Sequence, residues 1–133
     1  MELLIVIALI GILVTMGTAS YATAQIKSRD SRRTADMKVI QNAFEQYYSE
    51  NNGNYPPDDA IQTDEAYFPG GFPEDPKPDP YEQYSWTPDA TGVSYCTCAT
   101  LETLNSGNAD TNTCGSMANC SADCNFYCVR NLQ

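Results

Sequence analysis

The sequence predicts an α+β fold: one long N-terminal α-helix, apolar in its first half and amphipathic in its second, packed on a small antiparallel sheet and followed by a disulfide-rich C-terminal loop region. Three observations predict it. No charged residue occurs from Leu3 to Ile26. Met37, Ile40, Ala43, Phe44, Tyr47 and Tyr48 then recur at steps of three and four, which is one face of a helix. All six cysteines fall between Cys96 and Cys128, among short runs rich in β-branched and aromatic residues.

The apolar run comes first. Leu3, Leu4, Ile5, Val6, Ile7, Leu9, Ile10, Ile12 and Leu13 are interrupted only by Ala8 and Gly11, and the stretch from Thr15 to Ile26 is milder. A span of about 20 apolar residues crosses a bilayer as a helix. The run is long for a signal peptide, and the helical pattern continues through its small-residue stretch Gly17-Thr18-Ala19-Ser20. No proline occurs before Pro56, so one helix from Leu3 to about Glu50 is permitted. At 1.5 Å per residue it would be roughly 70 Å long. Asn51-Asn52-Gly53-Asn54 stops it, with Gly53 suited to a left-handed turn and Pro56-Pro57 preventing continuation.

Eight prolines lie between Pro56 and Pro88, which excludes central strands there and predicts surface loops. Strand candidates are Gln83 to Thr87, Val93 to Leu101 and Asn125 to Arg130. Residues 105–124 are a polar loop that needs covalent staples to hold one shape. The organisation expected is a hydrophobic helix over 1–26, an amphipathic helix over 27–50 and an acidic head over 51–133.

Charge is distributed unevenly. Residues 1–45 carry five basic and four acidic groups, whereas residues 46–133 carry two basic and thirteen acidic ones. Such a head repels phosphate backbones, and Lys77 and Arg130 make no basic patch, so direct nucleic-acid binding is not expected. The chain has no histidine, which removes the commonest general base and metal ligand and leaves no His-based triad. No catalytic residue, metal or cofactor is expected, and the chain reads as a non-enzyme. Cys96, Cys98, Cys114, Cys120, Cys124 and Cys128 predict three disulfides and an oxidising compartment. Their spacing is not that of zinc knuckles. Six cysteines allow fifteen connectivities, and the sequence does not choose among them. Asn119-Cys120-Ser121 matches a glycosylation sequon, a weak signal that is usually coincidence.

Glu2-Leu3-Leu4-Ile5-Val6-Ile7-Ala8-Leu9-Ile10-Gly11-Ile12-Leu13 closely resembles the N-terminal signature of type IV pilins and type II secretion pseudopilins: a glutamate heading an apolar run, with glycine nine positions on. Asn52-Gly53-Asn54-Tyr55-Pro56 and Phe72-Pro73-Glu74-Asp75-Pro76 also look like that family. The resemblance implies a short basic leader, removed by a prepilin peptidase, and about three further mature residues ahead of Glu2, usually beginning with phenylalanine at an N-terminus that is methylated. Ala19 stands where the family often has proline. The basic cluster after the apolar run would by itself be cytoplasmic. The family's topology, like the cysteines, instead puts the head outside.

The resemblance implies a subunit that is anchored in the inner membrane, then polymerises with copies of itself, through its assembly machinery, into an extracellular filament. A pseudopilin forming a short periplasmic filament is the neighbouring reading. A membrane-anchored binding module that never polymerises is the rival from another class. In the family Glu2 neutralises the N-terminal amine of a neighbouring subunit, and an ionised carboxylate in an apolar bundle is costly unless a cation meets it. Gly11 and Gly17 either permit close helix contact or local unwinding during assembly, or are tolerated small residues. Lys27, Arg29, Arg32 and Arg33, with Asp30 and Asp36, lean towards bridges between subunits over a solvated helix face. Some major pseudopilins bind calcium in the head, so the resemblance makes the head acids Asp58, Asp59, Asp64, Glu65, Glu74, Asp75, Asp79 and Asp89 calcium candidates. Here they read better as a soluble surface, since no Asp-x-Asp-x-Asp-Gly loop is present.

Overall fold

The computed structural model describes residues 2–77, 81, 83–88, 91–114, 117, 120 and 124–133, with backbone alone at 2, 17–19, 85, 87 and 88. A single helix, α1, runs from Glu2–Glu50 without interruption. It ends where the sequence loses helix formers. The Gly53 amide donates to the Tyr48 carbonyl at 3.0 Å, and the Asn51 amide to the Tyr47 carbonyl at 2.9 Å. Two residues turn left-handed there, Asn52 at φ 56° and Gly53 at φ 76°, so the reversal begins one residue before the expected glycine. Asparagine tolerates that conformation, and the backbone bonds satisfy carbonyls that the helix end leaves open.

Three antiparallel strands follow as a meander, β1 (Ser85–Pro88), β2 (Tyr95–Thr100) and β3 (Phe126–Arg130), in the order β1-β2-β3. All three expected strands are present, and Pro88 is confined to an edge strand, where a missing N–H is tolerated. Cys98 lies opposite Ser85 on one side and Cys128 on the other. Between helix and sheet the chain makes a surface loop holding a 3₁₀ turn at Asp59–Thr63, which the Asp58 carboxylate caps by accepting from the Ala60 amide at 3.0 Å.

The second half of α1 lies against β2 and β3. Met37, Ile40, Ala43 and Phe44 meet Tyr95, Ala99 and Val129 from the sheet, and Tyr55, Ile61 and Phe68 from the loop close the sides. Phe44 is the hub, with Trp86 and Tyr95 rings edge-on at 4.9 and 4.8 Å. Such edge contacts add about 0.5–1.5 kcal/mol each beyond the area buried. The alternation of β2 sends Tyr95, Thr97 and Ala99 to the helix, and Cys96 and Cys98 to the opposite face.

That opposite face is covered by residues 105–114 of the polar loop, with Met117. Cys98, Ala109 and Cys128 form a small second core with Cys96, Cys114, Met117 and Phe126 around it. Asn108 extends the sheet: its side-chain amide donates to the Cys128 carbonyl at 2.9 Å, and its carbonyl oxygen accepts from the Cys128 amide at 2.7 Å. One side chain thereby serves part of the β3 edge that a fourth strand would otherwise fill. Gly107 passes so close to β3 that a Cβ would sit 2.1 Å from the Phe126 carbonyl oxygen, so only glycine fits there.

Candidate functional site

Two surfaces of α1 differ completely in what surrounds them. From Leu3 to Met16 every large apolar side chain is 53–77% exposed, and among the described residues no other element packs on them. The most apolar 18-residue window of the helix has mean hydropathy 2.5 and none of it is buried. The helix is thus long and apolar enough to anchor the protein in a membrane. The Thr15 hydroxyl is turned onto the backbone, donating to the Ile12 carbonyl at 2.8 Å. Gly11 lies within this stretch, and a Cβ built on it would meet nothing within 4 Å. Its identity is therefore not set by packing among the described residues of the chain. The Glu2 side chain and the surroundings of Gly17 lie outside the described residues.

At the junction of shaft and head the helix carries a buried ion cluster. Arg33 is completely buried. Its guanidinium donates Nε–H and Nη2–H to the two Asp75 oxygens at 2.7 and 2.9 Å, and Nη1–H to Asp30 at 2.8 Å and to Glu102 at 2.9 Å. Arg29 adds a second fork, donating to both Glu102 oxygens at 2.6 Å. Asp30 also accepts the amides of Glu102 and Thr103 at 2.9 and 2.8 Å. The Tyr81 ring lies 4.5 Å from the Arg33 guanidinium carbon. Three segments of the chain, helix, proline loop and the segment after β2, are fixed to one another by these contacts.

The electrostatics follow from the pairing. Hydrogen bonds from Arg29 hold the Glu102 carboxyl down at about 2 against the opposing effect of burial, with Arg33 assisting. Burial pushes Asp30 upward, but hydrogen bonds from the Thr103 side chain, the Glu102 and Thr103 amides and Arg33 outweigh it and leave it below the usual carboxylate range. Burial likewise opposes the Arg33 charge, and its three carboxylate partners raise it above its ordinary value.

The expected inter-subunit role is corrected for part of the basic cluster. Arg29 and Arg33 are held by carboxylates of their own chain, because Asp30, Asp75 and Glu102 converge there. Lys27 and Arg32 remain exposed, Arg32 with only a 3.9 Å contact to Asp36. Sequence reasoning missed the cluster, although a signal existed. Arg33 is in phase with the buried stripe Met37, Ile40 and Phe44, where a charge needs a buried partner.

The six cysteines form Cys96–Cys114, Cys98–Cys128 and Cys120–Cys124, and no cysteine is free. The first two tie β2 to the polar loop and to β3. Among the described residues, one group has metal-ligand spacing, the sulfurs of Cys96, Cys98 and Cys114, and all three are in disulfides. Several of the head acids have structural duties: Asp58 and Asp64 cap turns and Asp75 holds Arg33. Asp79, Asp89 and the sequon residue Asn119 lie outside the described residues.

The architecture, a long N-terminal helix with a small antiparallel sheet and disulfides, is compatible with a pilin fold. No family model, curated protein or solved structure matches the chain.

Proposed function

We propose that the chain is a structural subunit of a type IV pilus-like filament, anchored in a membrane by α1 before assembly and joined to copies of itself through α1 afterwards. The observation that carries this reading is the exposed apolar half-helix, continuous with a half whose apolar stripe is packed into the head. A surface of that size and composition is satisfied by lipid or by identical helices. The head then lies outside the envelope, where disulfides persist. Repeating one heterologous contact without closure gives a helical polymer. Glu2 supplies the register: its carboxylate, costly in an apolar bundle, is neutralised by the N-terminal amine of a neighbouring subunit. Adhesion, motility and secretion are all open to such a filament.

The test is to shear surface filaments from the source cells and examine them by electron microscopy and intact-mass analysis. Filaments containing this chain, with a mass six hydrogens below its reduced form, support the reading. A chain confined to the membrane fraction, absent from every filament, overturns it. Glu2→Ala separates the anchored-module rival, which predicts unchanged membrane insertion and no further effect. The filament reading predicts lost or disordered assembly.

A further inference from the structure

The three disulfides have different surroundings. Cys120–Cys124 closes a short loop, with only 4 positions between its cysteines in sequence separation. Cys96–Cys114 and Cys98–Cys128 share one cluster. Cys96 and Cys98 are two positions apart in β2, so they leave the same face of the sheet. Their sulfurs are 3.8 Å apart, although they belong to different bridges. With Cys114 they form a group whose sulfurs all lie within 4.8 Å of one another. Cys128 is fully buried behind them, whereas Cys96 and Cys114 are half-buried and open to small solutes.

We propose that these two bridges form a thiol-triggered exchange site, at which a small-molecule thiolate re-pairs Cys96–Cys114 and Cys98–Cys128 as Cys96–Cys98 and Cys114–Cys128. The entering thiolate bonds the Cys114 sulfur, and the Cys96–Cys114 bond breaks with its electron pair left on Cys96. The Cys96 thiolate bonds the adjacent Cys98 sulfur, and the Cys98–Cys128 bond breaks with its pair left on Cys128. Cys128, whose side chain packs in the same cluster as Cys114, bonds the Cys114 sulfur and expels the original thiolate. One thiolate enters and one leaves, so nothing is oxidised or reduced overall. The outcome is mechanical. The staple between directly opposed Cys98 and Cys128 is removed from β2 and passed to the loop that covers the sheet. This site does not depend on whether the chain polymerises.

The test uses the full chain in detergent micelles with substoichiometric reduced glutathione in mildly alkaline buffer, quenched with acid. Non-reducing digestion after Glu102 and before Asp110 and Asp123 separates Cys96 with Cys98, Cys114 with Cys120, and Cys124 with Cys128. In the native pairing the three fragments stay joined. Exchange releases the Cys96–Cys98 fragment with a mass two hydrogens below its reduced form, in an amount exceeding the thiol added. In a Cys120→Ala, Cys124→Ala variant the other two fragments then remain joined, which requires the Cys114–Cys128 bond. Fragments that stay joined at every thiol level, or a Cys96–Cys98 fragment released only in its fully reduced form, overturn the proposal.

Discussion

The two halves of α1 are one continuous helix with opposite relations to the rest of the chain. Residues 27–50 bury Arg33, Met37, Ile40 and Phe44 against the head, and residues 3–16 bury nothing. The contrast separates folding from association. The distal half is part of the head's core, so substitutions there act on stability. Among the described residues the proximal half packs on no other element, so substitutions on its exposed apolar face leave the isolated chain nearly unchanged and act on whatever it meets outside.

The sharpest way to break this contrast is Arg33→Ala. It leaves Asp30, Asp75 and Glu102 facing one another with a single guanidinium, that of Arg29, and is expected to cost about 3–5 kcal/mol. Ile10→Ala, at an exposed position of the proximal half, is expected to change head stability by no more than about 0.5 kcal/mol. Denaturant melts of both variants in micelles, followed by Trp86 fluorescence, measure the difference. Equal losses would mean that the two halves are not energetically separate.

The disulfides rank next. Cys98–Cys128 spans 30 positions and Cys120–Cys124 only 4. By chain-entropy reasoning the Cys98→Ala, Cys128→Ala pair loses roughly 3–4 kcal/mol, and the Cys120→Ala, Cys124→Ala pair roughly 2 kcal/mol. Thermal melts of the two double variants check the order. Reversal of that order would show that the 124–128 segment depends on its local staple more than the sheet does on its cross-strand one.

Much of the fold was legible because it is written in local pattern. The charge-free run, the step of three and four from Met37 to Tyr48, and the β-rich runs around Cys96–Cys98 and Tyr127–Val129 each specify an element without reference to distant residues. The ion cluster was not legible, because Arg33 meets Asp75 and Glu102, 42 and 69 residues away. The cysteine pairing was not legible for the same reason. Cys98 joins Cys128 because strand register sets them opposite each other, and register is a property of the assembled sheet. Asn108 reads locally as a loop residue, and its service to the β3 edge becomes visible only once β3 is in place.

The ion cluster also sets a pH window. Glu102 titrates at about 2 in the folded chain against an ordinary 4.5. A lowered carboxyl stabilises the fold above its unfolded value, and that stability is lost as pH falls from 4.5 towards 2. Charged hydrogen bonds of this kind contribute about 1.5–3 kcal/mol. Stability against denaturant is expected to drop across that window, and Glu102→Gln is expected to flatten the drop while lowering stability at neutral pH. An unchanged slope in the variant would assign the acid sensitivity to Asp30, which is also held below its usual range.

The smallest effect is at the alkaline end and belongs to the head that the distal half of the helix packs on. Burial, reinforced by Glu45 at Tyr55 and Tyr95 and by Asp36 at Tyr84, raises all three phenols above the ordinary 10. Tyr55 donates to both Glu45 oxygens at 3.0 and 3.1 Å, and Tyr84 to Asp36 at 2.7 Å, bonds that only the neutral phenols make. Ultraviolet titration is therefore expected to show phenolate formation at these three core phenols only above the range of an ordinary phenol. A raised phenol stabilises the fold below its unfolded pKa and loses that contribution as pH rises, so phenolate formation at these rings coincides with loss of near-ultraviolet dichroism. Tyr84→Phe is expected to reduce that delayed absorbance change. A titration with no delayed component would show that the head does not shield these rings.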